Sequence, residues 1–339
     1  MKLGIMLNYA TVHERDELVA IAREAEDLGY DSLWASEAYS FDVFTTLTHL
    51  ACHTKTIKLG TNIAQLFSRT PAALATTAAS LDQISDGRFI LGIGASGPQV
   101  IEDWHGVPYQ KPVQRTREII DIVRQILSGE KVKYDGEIYK VGTKKQLKII
   151  NPVLRKDLPI YVASLGPKNV EMTAELADGW LPTFFSTEHA HRVFGPMLEA
   201  GRAKRSPDLP SLEVAPFVPA FAGKFEVGID MLRQVVGFYI GGMGSKEKNF
   251  YNQLVQRYGY VEEAQRIQEM FLGGQKQEAI AATPDELVDQ VSLIGDEPRL
   301  RDRLQAFADA GATAALLGVT AMDPAGRREM LETIARANS

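Results

Sequence analysis

The feature that most restricts the fold of this 339-residue chain is a rhythm in which short apolar runs alternate with longer amphipathic stretches. Residues 2–7 (KLGIML) read as a strand, and residues 14–29 as a helix with Leu18, Ile21, Ala22, Ala25 and Leu28 on one face. Gly29 stands where a helix C′ glycine belongs. A strand at 31–36, a helix at 43–54 and a strand at 57–63 continue the pattern. Pro71 opens the next helix, and the Asp86-Gly87 turn delivers the chain into a strand at 88–94. Strands followed at once by amphipathic helices, joined by short turns, specify a parallel sheet covered by helices on its outer face.

Beyond residue 110 the rhythm loosens. A strong helix at 111–130 precedes KVKYDGEIYKV (131–141), which reads as a hairpin with an Asp-Gly turn. Strands resume at 158–164 and 177–183, separated by a helix starting near Pro167, and a further strand is expected at 211–222. A glycine-punctuated helical stretch runs to 282, where Thr283-Pro284-Asp285-Glu286 forms a capping box with proline at N1. A helix at 297–311, a strand at 313–319 and a closing helix complete the chain. Eight strands with right-handed crossovers close most simply into a (β/α)8 (TIM) barrel. The expectation is one barrel domain over 1–339, with a hairpin insertion at about 131–157 and a helical one at about 223–282.

Composition narrows the function. Lys and Arg number 37 against 43 Asp and Glu, a net charge of −6 that disfavours nucleic acid as a partner. The single cysteine, Cys52, excludes an intramolecular disulfide framework and multi-cysteine metal sites, and its apolar helix suggests core packing. No apolar run is long enough for a membrane span, and the N-terminal run is too short for a signal peptide, so a cytoplasmic protein is expected.

Two motifs are decoys. Gly92-Ile-Gly94-Ala-Ser-Gly97 is a literal G-x-G-x-x-G, but it runs into Pro98 and an aromatic loop rather than a helix, and no acidic residue ends a following strand. It reads better as a glycine-rich loop at the end of barrel strand four, where a flat ligand can approach the backbone. His189-Ala-His191 follows a helix-entry signature, so its rings diverge by roughly 200° and do not share a metal. The remaining histidines (His13, His49, His53, His105) are scattered, no G-x-S-x-G occurs, and no metal is expected.

Three segments together carry a resemblance: LDQISDGRFILGIGASGPQV (81–100), LGTNIAQLFSRTP (59–71) and IYVASLGPKNVEMTAELADGWLP (160–182). With EDLGYDSLWASE (26–37) and the late TPDE and GDEP segments, they resemble the luciferase-like monooxygenase superfamily, and GGMGSKEKNF (241–250) is similar to a subgroup of its F420-dependent oxidoreductases. Within it they are similar to the branch using the deazaflavin coenzyme F420, whose methylene-tetrahydromethanopterin reductases share the scaffold.

The resemblance implies a coenzyme at the C-terminal mouth of the barrel, resting on a strand-three bulge with a non-prolyl cis peptide at Asn62-Ile63. It implies backbone contacts from Gly94, Ala95 and Ser96. It also implies a seat for the side-chain phosphate at Ser164-Leu165-Gly166-Pro167-Lys168, where helix-start N–H groups and a lysine suit an anion. Arg69 and Arg115 are candidates for the coenzyme's glutamate tail. The activity implied is hydride transfer between deazaflavin C5 and a small organic substrate, with FMN-dependent monooxygenation as the alternative; relatives are commonly homodimers. Many relatives carry Asp-His after strand two, where this chain has Glu37-Ala38. Glu37 is then the leading proton donor or ring contact, its pKa raised by burial, or else a structural hydrogen-bond acceptor at a strand end. His105 and Tyr109 are alternative acids. Phe184, Phe185 and Met243 suit an apolar substrate or core packing equally.

Overall fold

In the computed structural model, residues 1–7, 14–244, 248–319 and 323–339 are described. His13 and positions 245–247 of the quoted GGMGSKEKNF segment lie outside them. The strands are β1 (Lys2–Met6), β2 (Ser32–Ala35), β3 (Lys58–Thr61), β4 (Ala64–Gln65) and β5 (Phe89–Gly94). They continue with β6 (Tyr134–Asp135), β7 (Lys140–Val141), β8 (Ile160–Ala163), β9 (Gly179–Trp180), β10 (Glu213–Val214), β11 (Phe217–Ala222), β12 (Leu293–Gly295) and β13 (Ala314–Val319). Helices α1 (Arg15–Asp27), α2 (Val43–Ala51), α3 (Pro71–Ile84), α4 (Pro112–Leu127), α5 (Pro167–Leu176) and α6 (Ala190–Arg202) alternate with the strands. Four helices, α7 (Phe225–Gly242), α8 (Phe250–Tyr258), α9 (Val261–Leu272) and α10 (Lys276–Ala281), form the insertion after β11. Helices α11 (Asp285–Gln290), α12 (Glu297–Asp309) and α13 (Pro324–Ala337) finish the chain.

The sheet runs β10-β9-β8-β5-β3-β2-β1-β13-β11, with the barrel pairs parallel and β4 alongside β5. It closes where the Ala215 N–H donates to the Trp180 carbonyl and the Phe217 N–H to the Pro182 carbonyl, each at 2.9 Å, beside the Thr183–Phe217 bridge. The expected (β/α)8 barrel is therefore present. β5 (FILGIG) is buried along its whole length, as a strand covered on both faces must be. Local chemistry fixes the helix starts: Thr70 caps α3 ahead of Pro71, and Asp42 and Asp296 cap α2 and α12.

Several boundaries differ from the sequence reading. The strand expected at 211–222 is interrupted between β10 and β11 at Ala215 and Pro216, a residue with no N–H to give the ladder. The strand expected at 177–183 shortens to β9 plus the bridge at Thr183. β12, which the rhythm did not announce, pairs with Ala220–Ala222 of β11. Helix α11 starts at Asp285, and the Thr283 hydroxyl turns back to the Ala279 carbonyl at 3.5 Å instead of capping it. Cys52 is exposed, because it stands at the C-cap of α2 rather than within its apolar face.

The barrel axis is filled by Trp34, Ile90, Tyr161, Leu181, Ala314 and Leu316, and the Trp34 and Tyr161 rings lie 5.7 Å apart. At the N-terminal strand ends a cavity of about 180 Å³ is lined by Lys2, Asp31, Trp34, Lys58, Tyr161 and Glu213, among others. Its rim charges are paired, Lys58 with Asp31 at 2.9 Å and Lys2 with Glu213. Among the described residues no helix is long and apolar enough to cross a membrane.

Candidate active site

At the opposite, C-terminal end, β3 stops at Thr61 and the line resumes at Ala64, leaving a two-residue bulge at Asn62 and Ile63. The Asn62-Ile63 peptide bond is cis, at the bond the resemblance implied. Glycines on β5 let the bulge lie down. A Cβ on Gly92 would stand 1.8 Å from the Thr61 carbonyl oxygen, and one on Gly94 would stand 2.5 Å from Ile63 Cδ1. The buried Thr61 hydroxyl locks the two strands, donating to the Gly92 carbonyl at 2.6 Å and accepting the Gly92 N–H at 2.8 Å. Gly94 is in register with Gln65 on one side and Ala163 on the other. Met6, Ile63 and Ala163 are only partly buried, so the mouth above the axis is floored by modest side chains rather than plugged.

Two loops rise beside this floor. In the first, Ser96 adopts a left-handed conformation (φ 59°), and the Tyr109 hydroxyl donates to its carbonyl at 3.3 Å. Tyr109 stacks on Phe67 with ring centroids 5.0 Å apart, and burial pushes its phenol up to about 12. It is therefore protonated at neutral pH and holds the loop through the Ser96 carbonyl. The N–H groups of Ala95, Ser96 and Gly97 meet no acceptor among the described residues.

In the second loop, the Ser164 hydroxyl faces inward onto Thr173 Oγ1 at 2.9 Å, and its carbonyl accepts from Trp180 Nε1 at 2.9 Å. What remains for a ligand is backbone: the N–H groups of Leu165, Gly166 and Lys168 meet no acceptor among the described residues. The space beside Gly166, at the start of α5, is open. Lys168 is exposed.

Glu37, at the end of β2, is held from three sides. Its carboxylate accepts from both terminal nitrogens of Arg69, from the Gln65 N–H at 2.9 Å and from the Val43 N–H at 3.3 Å. Burial works against the charge on Arg69, but Glu37 and Asp42 overcome it and raise the Arg69 pKa. In this geometry both Glu37 carboxylate oxygens are hydrogen-bond acceptors. Arg69, expected as a cation for the coenzyme tail, is spent on the two carboxylates. Arg115 is likewise engaged, stacked over Phe67 and Tyr139 and bonded to the Tyr139 hydroxyl.

Phe184 and Phe185 are buried in the core, Phe184 edge-on to Tyr239 and Tyr251 and Phe185 among Trp180, Phe194 and Phe307. Met243 is partly buried at the end of α7. His189 precedes α6 and packs near Tyr258. Among the described residues no group of three or more His, Cys, Asp or Glu is placed to hold a metal ion. Sequence reasoning missed the role of Gln65, although it lies in the quoted 59–71 segment, and Arg257 near the end of α8, whose Nη2 donates to the Leu165 carbonyl at 2.8 Å.

The luciferase-like monooxygenase family model matches residues 1–314. The chain is 38% identical over 333 residues to a Mycobacterium tuberculosis protein assigned as a coenzyme F420-dependent oxidoreductase, covering 92% of this chain and 93% of that one. It is 30% identical over 328 residues to the 5,10-methylenetetrahydromethanopterin reductase of Archaeoglobus fulgidus, covering 94% and 93%. Its fold superposes on the coenzyme F420-dependent tetrahydromethanopterin reductase of Methanopyrus kandleri with a TM-score of 0.82 at 25% identity, over 98% and 97% of the two chains. A barrel with a bulged third strand and amide-lined loops at one mouth, matched along nearly its whole length, belongs to the luciferase-like monooxygenase family of enzymes, alongside its F420-dependent oxidoreductases.

Proposed function

We propose that the protein binds coenzyme F420 at the barrel mouth and transfers a hydride between the deazaflavin C5 and a small organic substrate, acting as a reductase. The observation that carries this reading is the pairing of a shallow floor with two amide-lined loops. Ile63, Met6 and Ala163 offer a flat apolar support. The loops 94–97 and 164–168 offer unclaimed N–H groups on neighbouring strands, β5 and β8. A planar heterocycle with an anionic tail needs both. The names of the relatives point the same way.

When bound, the coenzyme supplies the redox chemistry. The chain's own residues position and shield. The bulge would support one ring face of the coenzyme and leave the other to the substrate. The Phe67–Tyr109 stack holds the loop after β5 over the mouth and limits water. Leu165, Gly166 and Lys168 would hold the phosphate of the coenzyme side chain through backbone N–H groups and the lysine ammonium. Glu37 fixes the bulge through the Gln65 N–H and gives no proton, because its oxygens already accept from Arg69 and two amides.

The test is fluorescence titration of the purified protein with F420 and, separately, with FMN. Saturable F420 binding in the micromolar range is expected. Tight FMN binding with no F420 binding overturns the assignment in favour of a flavin monooxygenase.

A further inference from the structure

Arg257, a half-buried cation near the mouth, has no counter-charge among the described residues. Arg257 lies near the end of α8, in the helical insertion, and its guanidinium reaches back to the loop after β8. Its mount is rigid: Arg192 on α6 donates to the Arg257 carbonyl at 3.2 Å and to the Tyr258 carbonyl at 3.0 Å. Among the described residues the guanidinium has a single hydrogen bond, from Nη2 to the neutral Leu165 carbonyl at 2.8 Å. Nη1 is shut off from solvent and meets no acceptor among the described residues, and the Phe194 ring centre lies 5.7 Å from the guanidinium carbon. No carboxylate pairs with Arg257, Arg192 or Lys168 among the described residues, in a chain whose net charge is −6.

Arg69 shows the contrast. It is also partly buried, and Glu37 and Asp42 compensate it. Burial lowers the Arg257 pKa with little to oppose it. A desolvated cation without a partner is costly unless an anion completes the site, and a guanidinium fork is suited to the oxygens of a phosphate.

We propose that Arg257, delivered across the mouth by the insertion, completes the anion seat at 164–168 and binds the phosphodiester of the coenzyme side chain together with Lys168. This rests on the F420 reading above. Arg257 then links two parts of the chain, since an anion held by both the Leu165–Lys168 loop and α8 ties the insertion down over the mouth. No chemistry is assigned to Arg257; it positions.

The test compares two ligands by fluorescence titration: intact F420, and its ribityl deazaflavin fragment, which lacks the phosphodiester. In Arg257→Met, affinity for F420 is expected to fall about 10- to 100-fold, with fragment affinity unchanged within about twofold, which also shows that the variant is folded. Arg257→Lys, which keeps the charge but loses the fork, should lie between the two. Equal losses for both ligands, or no loss for F420, overturn the proposal while leaving the coenzyme reading intact. If the wild-type protein binds neither ligand, the coenzyme reading itself fails and takes this inference with it.

Discussion

Glu37 and Gln65 hold one another reciprocally. The Glu37 carboxylate accepts the Gln65 backbone N–H at 2.9 Å, while the Gln65 side-chain amide donates to the Glu37 carbonyl at 3.3 Å and the Ala38 carbonyl at 2.9 Å. The β2–α2 loop and the β3 bulge are therefore one unit, and Arg69 clamps it from outside.

That unit predicts the behaviour of Glu37→Gln. The side chains of Glu37 and Arg69 are 8% and 18% exposed, so removing the charge leaves Arg69 under-compensated at a cost of about 1–3 kcal/mol. Coenzyme affinity should weaken about tenfold as the bulge loosens. The pH dependence of kcat should keep its shape if, as proposed, no proton passes through this carboxyl. A collapse of kcat at unchanged affinity, with loss of one limb of the pH profile, would restore the acid role.

The two glycines of β5 predict opposite outcomes from the same substitution. In Gly92→Ala the new methyl meets the Thr61 carbonyl, part of a buried ladder that has nowhere to go. Urea denaturation should show a loss of at least about 3 kcal/mol. In Gly94→Ala the methyl meets the end of the Ile63 side chain, which can turn away. Stability should fall by about 1 kcal/mol or less, while the disturbed floor weakens F420 binding at least about tenfold. Equal stability losses in the two variants would contradict the packing described here.

Acid stability should report on Glu26. Burial works to raise its pKa, but the N–H groups of Thr56, Ile57 and Lys55 overcome that and hold it at about 2 against an ordinary 4.5. The folded protein therefore resists protonation that the unfolded chain accepts. The stabilisation is complete above pH 4.5 and is lost as pH falls toward 2. Allowing for solvent screening, Glu26→Gln should cost about 1–2 kcal/mol at pH 7 and progressively less between pH 4.5 and 2. A cost that does not change with pH would show that the carboxylate charge is not what matters.

Most of the scaffold was legible because each β-α unit states itself locally. Apolar runs such as FILGIG and caps such as Thr70-Pro71 need no distant partner to be read. β12 was not legible, since three residues after a six-residue helix leave no periodicity to detect. The bulge and its flanking loops were located through resemblance, and the structure brings Ile63, Gly94 and the 164–168 loop to adjacent strand ends. What the sequence withheld was direction and pairing. It shows a glutamate at 37 and an arginine at 69, but not that they face each other. It shows phenylalanines at 184 and 185, but not that both turn into the core. Arg257 belongs to no motif, and only the path of the insertion brings it to Leu165.

The plugged base of the barrel has a kinetic consequence. Trp34 and Tyr161 occupy the axis there, and paired lysines and carboxylates ring the rim below them. If coenzyme and substrate both bind at the other end, as proposed, this packing denies them a route through the base: the deeper-lying one should arrive first and depart last, an ordering that product-inhibition kinetics would reveal.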